Sequence, residues 1–371
     1  MSKIPLFKVS MSEEAILKSG AVMMSGQIAQ GPIVNEFERV LRTRFGNQNL
    51  ITVNSCTSAI DLALHLCGVG VGPLDEVITT AQTCLATNSP ILNRRATPVF
   101  ADIDPVTGLI DPDDVANCIT KHTKAIVAVD WAGRACNYAE LRRHGIPVIE
   151  DAAHAVGTLI RDEHVAKVGG DYVCFSFQAI KHLTTGDGGA LVVPPEQLER
   201  AKRLRWFGLD RETPMEFRFE QNVSEAGYKY HMNDISAAIG LGNEPHLSGL
   251  LSAHISNARS LCDWLSAHHG RLCSEKCPIP SWDPNSSWWL YTIHVDRPRD
   301  FIRAMSYRDI ECSLVHTRND TMDAFRHSPK RSTLKGLESF SRTQVSIPVG
   351  WWLSPMDIER ICEEVLECAK E

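Results

Sequence analysis

Between Leu50 and Val193 the chain alternates short, continuously apolar runs with helical stretches, and this alternation restricts its fold more than any other feature. The runs are ITVN (51–54), EVITT (76–80), PVFADI (98–103), KAIVAVD (124–130), IPVIED (146–151), YVCFSF (172–177) and ALVV (190–193). They are rich in β-branched residues and apolar at successive positions, as strands are when a sheet is covered on both faces. The segments between them are helical. In SAIDLALHLC (58–67), Ile60, Ala63, Leu64 and Cys67 fall on one helical face. The pattern predicts an α/β fold with a mostly parallel, seven-stranded sheet between helices.

Beyond Val193 the character changes. PPEQLERAKRLRWFG (194–208) reads as a charged helix, the polar stretch to about Tyr230 as loop, and HMNDISAAIGLGN as a helix. A longer helical pattern runs from about Leu247 to Ala267, SSWWLYTIHV (286–295) reads as a strand, and DIERICEEVLECAKE as a terminal amphipathic helix. The expected division is a large domain over 1–245 and a smaller C-terminal α+β domain over 246–371. A chain of 371 residues with 43% hydrophobic and 22% charged residues can bury the core that two domains need, which excludes a disordered or collagen-like chain.

Charge narrows the partners. Thirty-eight Lys and Arg against 45 Asp and Glu give a formal charge of -7, without the basic excess of a nucleic-acid binder. Any anionic ligand must therefore be held locally. The opening MSKIPLFKVS has no signal-peptide apolar core, and no apolar run approaches bilayer length, so no membrane partner is expected and the expected location is the cytoplasm. The 12 cysteines are scattered, mostly inside apolar runs, and read as reduced core thiols. Cys262, His268, His269, Cys273 and Cys277 offer zinc-type ligand atoms but no CxxC pair, and no metal is assigned.

Three constellations carry chemistry. In Asn54-Ser55-Cys56-Thr57-Ser58, a strand-to-helix turn, free backbone N–H groups, hydroxyls and the positive end of a helix dipole meet, which suits a phosphate; the same residues also serve as plain helix caps. Val148-Ile149-Glu150-Asp151-Ala152-Ala153-His154 puts two acids and a histidine at the carboxyl end of an apolar strand, where open parallel sheets bind ligands. A carboxylate buried there needs a positive partner, so Asp151 should face a cation; a helix-capping Asp is the plain alternative. GDYVCFSFQAIKHLTTGDGGALVV sets Ser176 and Lys181 just beyond another strand, ahead of a turn containing Gly186, Gly188 and Gly189. A lysine flanked by apolar segments is a candidate for a lowered pKa and for imine chemistry, although most lysines are simply solvated. Together these supply a phosphate cradle, a carboxylate for a ring nitrogen and an imine-forming amine, the groups that hold pyridoxal 5'-phosphate.

The order and spacing resemble the DegT/DnrJ/EryC1/StrS family of pyridoxal-phosphate-dependent sugar aminotransferases. The stretches that carry the likeness are SGQIAQGPIVNEFE (25–38), VNSCTSAIDLAL (53–64), DEVITTAQTCLATNSPI (75–91), PVFADIDPVTGLIDP (98–112), TKAIVAVDWAGR (123–134), VIEDAAHAVGT (148–158), CFSFQAIKHLTTGDGGAL (174–191) and GYKYHMNDISAAIGL (227–241). They follow one another in family order across residues 25–241. The resemblance implies a fold-type I transferase, a homodimer with its active site at the subunit interface, and an amino group moved from glutamate to a nucleotide-linked keto-deoxysugar (4-keto-6-deoxy or 3-keto hexose) by a ping-pong cycle. It matches Lys181 to the Schiff-base lysine and Asp151 to the carboxylate on the pyridinium nitrogen. Thr57, Ser58 and Ser176 match phosphate ligands, with the Cys56 backbone alongside, and His154 stands where the family usually has Gln near the phenolic oxygen.

Several departures stand out. Cys84 falls where the family has an aromatic residue against the cofactor ring, and GDGG replaces GEGG. Lys229 replaces an Asn that in the family crosses the dimer to the phosphate, and His231 replaces an Arg. One subgroup carries His in place of the lysine and dehydrates the sugar; here Lys181 is present and His182 is displaced by one residue. Arg318, Trp288, Trp289, Trp351 and Trp352 are candidates for the substrate cleft, with the core as the alternative for the tryptophans. The glycines from Gly68 follow a helix and lack the strand-turn-helix setting of a dinucleotide fingerprint, which disfavours a nicotinamide enzyme. A pyridoxal-phosphate enzyme acting on an amino acid or cyclitol would share the same lysine and aspartate. A non-catalytic relative would be expected to lose one of them.

Overall fold

The computed structural model describes residues 2–268, 281–331 and 334–369. Two helices come first, α1 (Glu13–Ser25) and α2 (Pro32–Phe45). Then follow β1 (Leu50–Val53), α3 (Cys56–Leu66), β2 (Glu76–Thr80), α4 (Leu85–Asn93), β3 (Thr97–Ala101), α5 (Pro112–Cys118), β4 (Thr123–Val129), α6 (Tyr138–Arg142) and β5 (Val148–Asp151). A two-residue hairpin, β6 (Leu159–Ile160) and β7 (Glu163–His164), and a short α7 (Val165–Val168) lead to β8 (Tyr172–Ser176) and β9 (Gly189–Val192). The remainder is α8 (Leu198–Leu204), α9 (Asp234–Asn243), α10 (Leu247–His268), β10 (Tyr291–His294), α11 (Pro298–Tyr307), α12 (Lys335–Thr343), β11 (Gln344–Ile347) and α13 (Pro355–Cys368).

The seven apolar runs form one sheet in the order β1-β9-β8-β5-β4-β2-β3. β3, β2, β4, β5 and β8 pair in parallel, whereas β9 runs antiparallel to both β8 and β1. Successive residues of a strand serve opposite cores. Ile51, Val77, Val127, Ile149 and Leu191 pack on α3 and α8, while Val173, Phe175 and Val192 pack on α2 and α9. This two-sided burial is why the runs carry no polar alternation.

Helix α2 is capped from a distance of 200 residues. The Asp234 carboxylate accepts from the backbone N–H groups of Gly31 and Val34 at 2.8 and 3.0 Å, which fixes its starting point and joins two of the family stretches.

A separate C-terminal core gathers Ala258, Leu261 and Leu265 of α10, Tyr291 and Ile293 of β10, Val345 and Ile347 of β11, and Ile361 and Val365 of α13. Helix α10 belongs to both parts, since Leu247 and Leu251 at its other end pack with the helices beneath the large sheet. The N-terminal segment also reaches this region. Ile4 bridges in parallel to Ile310, Leu6 N–H donates to Glu311, and the Trp352 indole donates to the Pro5 carbonyl. Among the described residues no helix is long and apolar enough to cross a membrane.

The sequence reading needs correction in places. The strand expected over 286–295 is confined to Tyr291–His294, because Trp288 takes a positive φ of 50° and Ser287 is spent on bonds to Gly133 and His154. The helix expected over 194–208 is shortened to α8 by positive φ at Phe207 and Gly208. The sequence reading assigns no element to strands β6, β7 and β11, or to helices α11 and α12, although Phe301, Ala304 and Met305 of α11 and Leu337 and Phe340 of α12 are buried at helical spacing. Of the zinc-type cluster, His269, Cys273 and Cys277 lie outside the described residues; Cys262 is buried against the Tyr291 hydroxyl at 3.0 Å and His268 stacks on Trp264.

Gly189 opens β9 where the backbone of α3 passes. A Cβ there would lie 2.7 Å from the Cys56 nitrogen, the Phe175 oxygen and the Ser55 carbonyl carbon, none of which can swing aside. Gly189→Ala should therefore lower the unfolding free energy by about 1–3 kcal/mol. Denaturant titration checks this, and an unchanged midpoint would contradict the close packing.

Candidate active site

Because β1, β2, β5 and β8 run in the same direction, the residues that follow them converge on one edge of the sheet. Asp151 ends β5, Ser176 ends β8, Cys56 and Thr57 open α3 after β1, and Cys84 precedes α4 after β2. Lys181 lies in the turn between β8 and β9. A cavity of about 470 Å³ is lined by Cys56, Thr57, Cys84, Asp151, His154, Ser176 and Lys181, and its far wall by Phe7, Trp289 and His316.

Two of the expected site residues are not in this cavity. Ser58 caps inward, its hydroxyl 3.0 Å from that of Ser55, and lines an adjacent cavity of about 450 Å³ with Thr57, Tyr228 and Tyr230. Lys229, between those two tyrosines in sequence, is exposed and lines neither cavity. Of the tryptophans proposed for a cleft, Trp289 alone lines the Lys181 cavity. Trp288 is stacked between Trp282 and Tyr291, and Arg318 is paired with Asp320 beside a different cavity.

The edge has a positive rim and a negative floor. The Ser55 side chain accepts from the Ser58 N–H at 3.1 Å, which leaves the first backbone N–H groups of α3 for a ligand at the positive end of the dipole. On the floor Asp151 is 5% exposed. It accepts from the Thr87 hydroxyl at 2.6 Å, the Ala153 N–H at 3.1 Å and the Cys56 thiol at 3.8 Å. Burial raises its pKa, and the bonds from Thr87 and Ala153 and the charge of Lys181 oppose that rise. Lys181 feels the mirror effect: burial brings its amine down to about 8, with Asp151 acting in the other direction. An amine at that value is unprotonated in a useful fraction of molecules near neutrality, as a nucleophile requires.

His154 is held in its neutral form by burial, with the Lys181 charge adding to the effect. Its ring stacks on Trp289 at 3.9 Å, and its Nδ1 is buried without a protein partner. That orphaned nitrogen, the carboxylate floor and the helix N-terminus fit a planar group carrying a phosphate at one end and a polar oxygen and ring nitrogen at the other.

The sequence reading assigned no role to Thr87. Its hydroxyl lies 2.7 Å from that of Thr83, so two threonines four residues apart reach toward Asp151 from the start of α4. That i, i+4 spacing was a usable signal. Phe7 and His316 had none, because they arrive from distant parts of the chain.

A model of the DegT/DnrJ/EryC1/StrS aminotransferase family matches residues 9–366. Among solved structures, the sugar aminotransferase CalS13 of Micromonospora echinospora is similar at 33% identity and a TM-score of 0.88, covering 98% of this chain and 99% of that one. AtS13 of Actinomadura melliaura is similar at 36% identity with the same TM-score, and 99% of each chain is covered. An uncharacterized protein of Methanocaldococcus jannaschii is 38% identical over 249 residues, and this match spans 65% of the chain and 64% of that protein's length.

The depressed value of Lys181 has a direct test. In cofactor-free protein, the rate of Lys181 modification by an amine-reactive reagent, followed by peptide mass spectrometry, should rise with pH to a midpoint near 8. An ordinary lysine midpoint, about 10.4, would show that burial does not act on it.

Proposed function

The chain belongs to the DegT/DnrJ/EryC1/StrS aminotransferase family, and on that premise we propose that it transfers an amino group from glutamate to a nucleotide-linked keto-deoxysugar, a 4-keto-6-deoxy or 3-keto hexose. The observation that carries this reading is the enclosure of Lys181 and Asp151 in one cavity at the carboxyl edge of the sheet. The family's cofactor is pyridoxal 5'-phosphate, and when bound it supplies a carbonyl for amines and an electron-accepting ring.

Each residue's part follows from its setting. Asp151 would offer a buried carboxylate to a protonated ring nitrogen, and its three donors favour the ionised form against the effect of burial. Thr57 and Ser176 hydroxyls, with the backbone N–H groups of Cys56 and Thr57 at the start of α3, would hold a phosphate. His154 could offer a ring N–H to a phenolic oxygen, and Cys84, also on the cavity wall, would give the cofactor a sulfur contact where an aromatic is commoner. Lys181 would hold the cofactor through Nζ and, when its amine is free, would serve as the base that takes up and gives back a proton. Its intermediate basicity lets it do both.

A homodimer completes this reading, with Lys229 of one copy serving the phosphate of the other. The apolar residues Ile16, Leu17, Met23 and Met24 repeat at seven-residue spacing on the outer face of α1, and Met24 is 91% exposed, a surface suited to a second copy. We further place the division between residues 1–245 and 246–371 at the start of α10, which links the two cores.

The absorption spectrum of the cofactor-loaded protein tests the reading. Glutamate should convert the lysine-bound cofactor band of the wild type to that of the aminated form, and a keto-sugar nucleotide should reverse the change. In Lys181→Ala the lysine-bound band should be absent and the glutamate half-reaction slower by about 10²–10⁴-fold. Wild type that takes up the cofactor but ignores glutamate would replace the donor, and protein that takes up no cofactor would overturn the assignment.

A further inference from the structure

Trp289 lines the cavity wall but takes no part in the chemistry described for the site, yet its ring is set directly against Lys181. The Lys181 Nζ lies 3.4 Å from the centroid of the Trp289 ring. The indole N–H donates to the Ile180 carbonyl at 3.0 Å, so the ring is tied to the backbone beside the lysine it faces. His154 stacks on the ring at 3.9 Å and Phe7 at 5.0 Å, and Trp289 is only 4% exposed. Phe7 in turn is held by the N-terminal segment fastened to Ile310, Glu311 and Trp352. The ring therefore has little freedom to turn away.

The charge of Lys181 has few other supports. The groups that act on it are Asp151, Cys56 and Cys84, while His154, His182 and His316 close by are pushed toward their neutral forms and offer it no countercharge. Asp151 attracts the ammonium but is occupied by Thr87, Ala153 and Cys56. An aromatic face is negative, and an ammonium within about 6 Å of it gains most where water is excluded. It also differs from a second carboxylate, which would hold the proton too firmly for a group that must give it back.

We propose that Trp289 is a positioning residue for Lys181: its ring face holds the ammonium form of the side chain in the cavity, and its indole N–H locks that face to the backbone of Ile180. This rests on Lys181 being the amine that captures the cofactor and carries the proton. The ring stabilises the charged lysine that a proton transfer creates, without being charged itself. It also supplies aromatic surface to a cavity in which position 84 is a cysteine.

The test uses the cofactor-free, full-length protein mixed with excess pyridoxal 5'-phosphate, with the rate of covalent capture followed by absorbance across pH and Lys181→Ala as the blank. The midpoint of that profile reports the ammonium of Lys181. In Trp289→Leu it should fall by about 0.4–1.5 pH units, and Trp289→Phe should recover at least half of the difference. A second measurement leaves the shape of the site intact. Replacing all 8 tryptophans biosynthetically with monofluorinated and then trifluorinated analogues drains the ring face of negative charge, and the midpoint should fall stepwise. A midpoint indifferent to fluorination, or one that rises in Trp289→Leu, would overturn the role of the ring while leaving the functional reading in place. Wild type that captures no cofactor at any pH would overturn that reading and this inference together.

Discussion

The active edge depends on the direction of one strand. β9 is inserted between β1 and β8 against both, so it starts at the edge where β8 stops. The connection between them therefore never leaves that edge, and Lys181 sits in it. A parallel β9 would need a crossover over the face of the sheet, which would carry the lysine away from Asp151. The insertion is possible because Gly189 lets β9 pass against the first residues of α3. The same close fit sets the helix N-terminus, with its free N–H groups, beside the lysine turn.

Electrostatics then follow from enclosure. A carboxylate and an amine share a space too dry for either to be charged alone, so each is shifted toward neutrality and each moderates the shift of the other. Thr87 and the Ala153 N–H keep Asp151 acidic enough to act as an anion. The neighbouring Glu150 shows the contrast. Its side chain lies on the opposite face of the strand beside Asp130, and burial together with that carboxylate raises it well above the ordinary range. Two adjacent acids of one strand thus meet opposite fates because successive side chains point to opposite faces.

The seven strands of the large sheet were legible because each is buried on both faces, and continuous apolar runs of strand length arise in few other settings. The same logic exposed the site residues that lie at strand ends, namely Asp151, Ser176 and the residues following Val53. The C-terminal part was less readable. QVSI (344–347) is short and half polar, and SSWWLYTIHV extends as apolar sequence beyond the strand it contains, since nothing local announces the positive φ of Trp288. The far wall of the cavity was not legible in full either. Trp289 was legible as a cleft candidate but more readily as a core or interface residue, and Phe7 became visible only when the first residues were seen fastened to Ile310 and Trp352. Such contacts are set by tertiary closure, which leaves no period in the sequence.

That fastening has a consequence for the order in which the protein can be made. The segment from Ile4 to Phe7 leaves the ribosome well ahead of Trp289 and of its anchors at Ile310, Glu311 and Trp352. The large sheet, complete by Val192, can close while synthesis continues, with its lysine turn still open on one side. The early segment must wait. The pocket is sealed only when stretches of chain some 300 residues apart meet, so a nascent chain holds Lys181 in an unfinished chamber until the C-terminal core has been made.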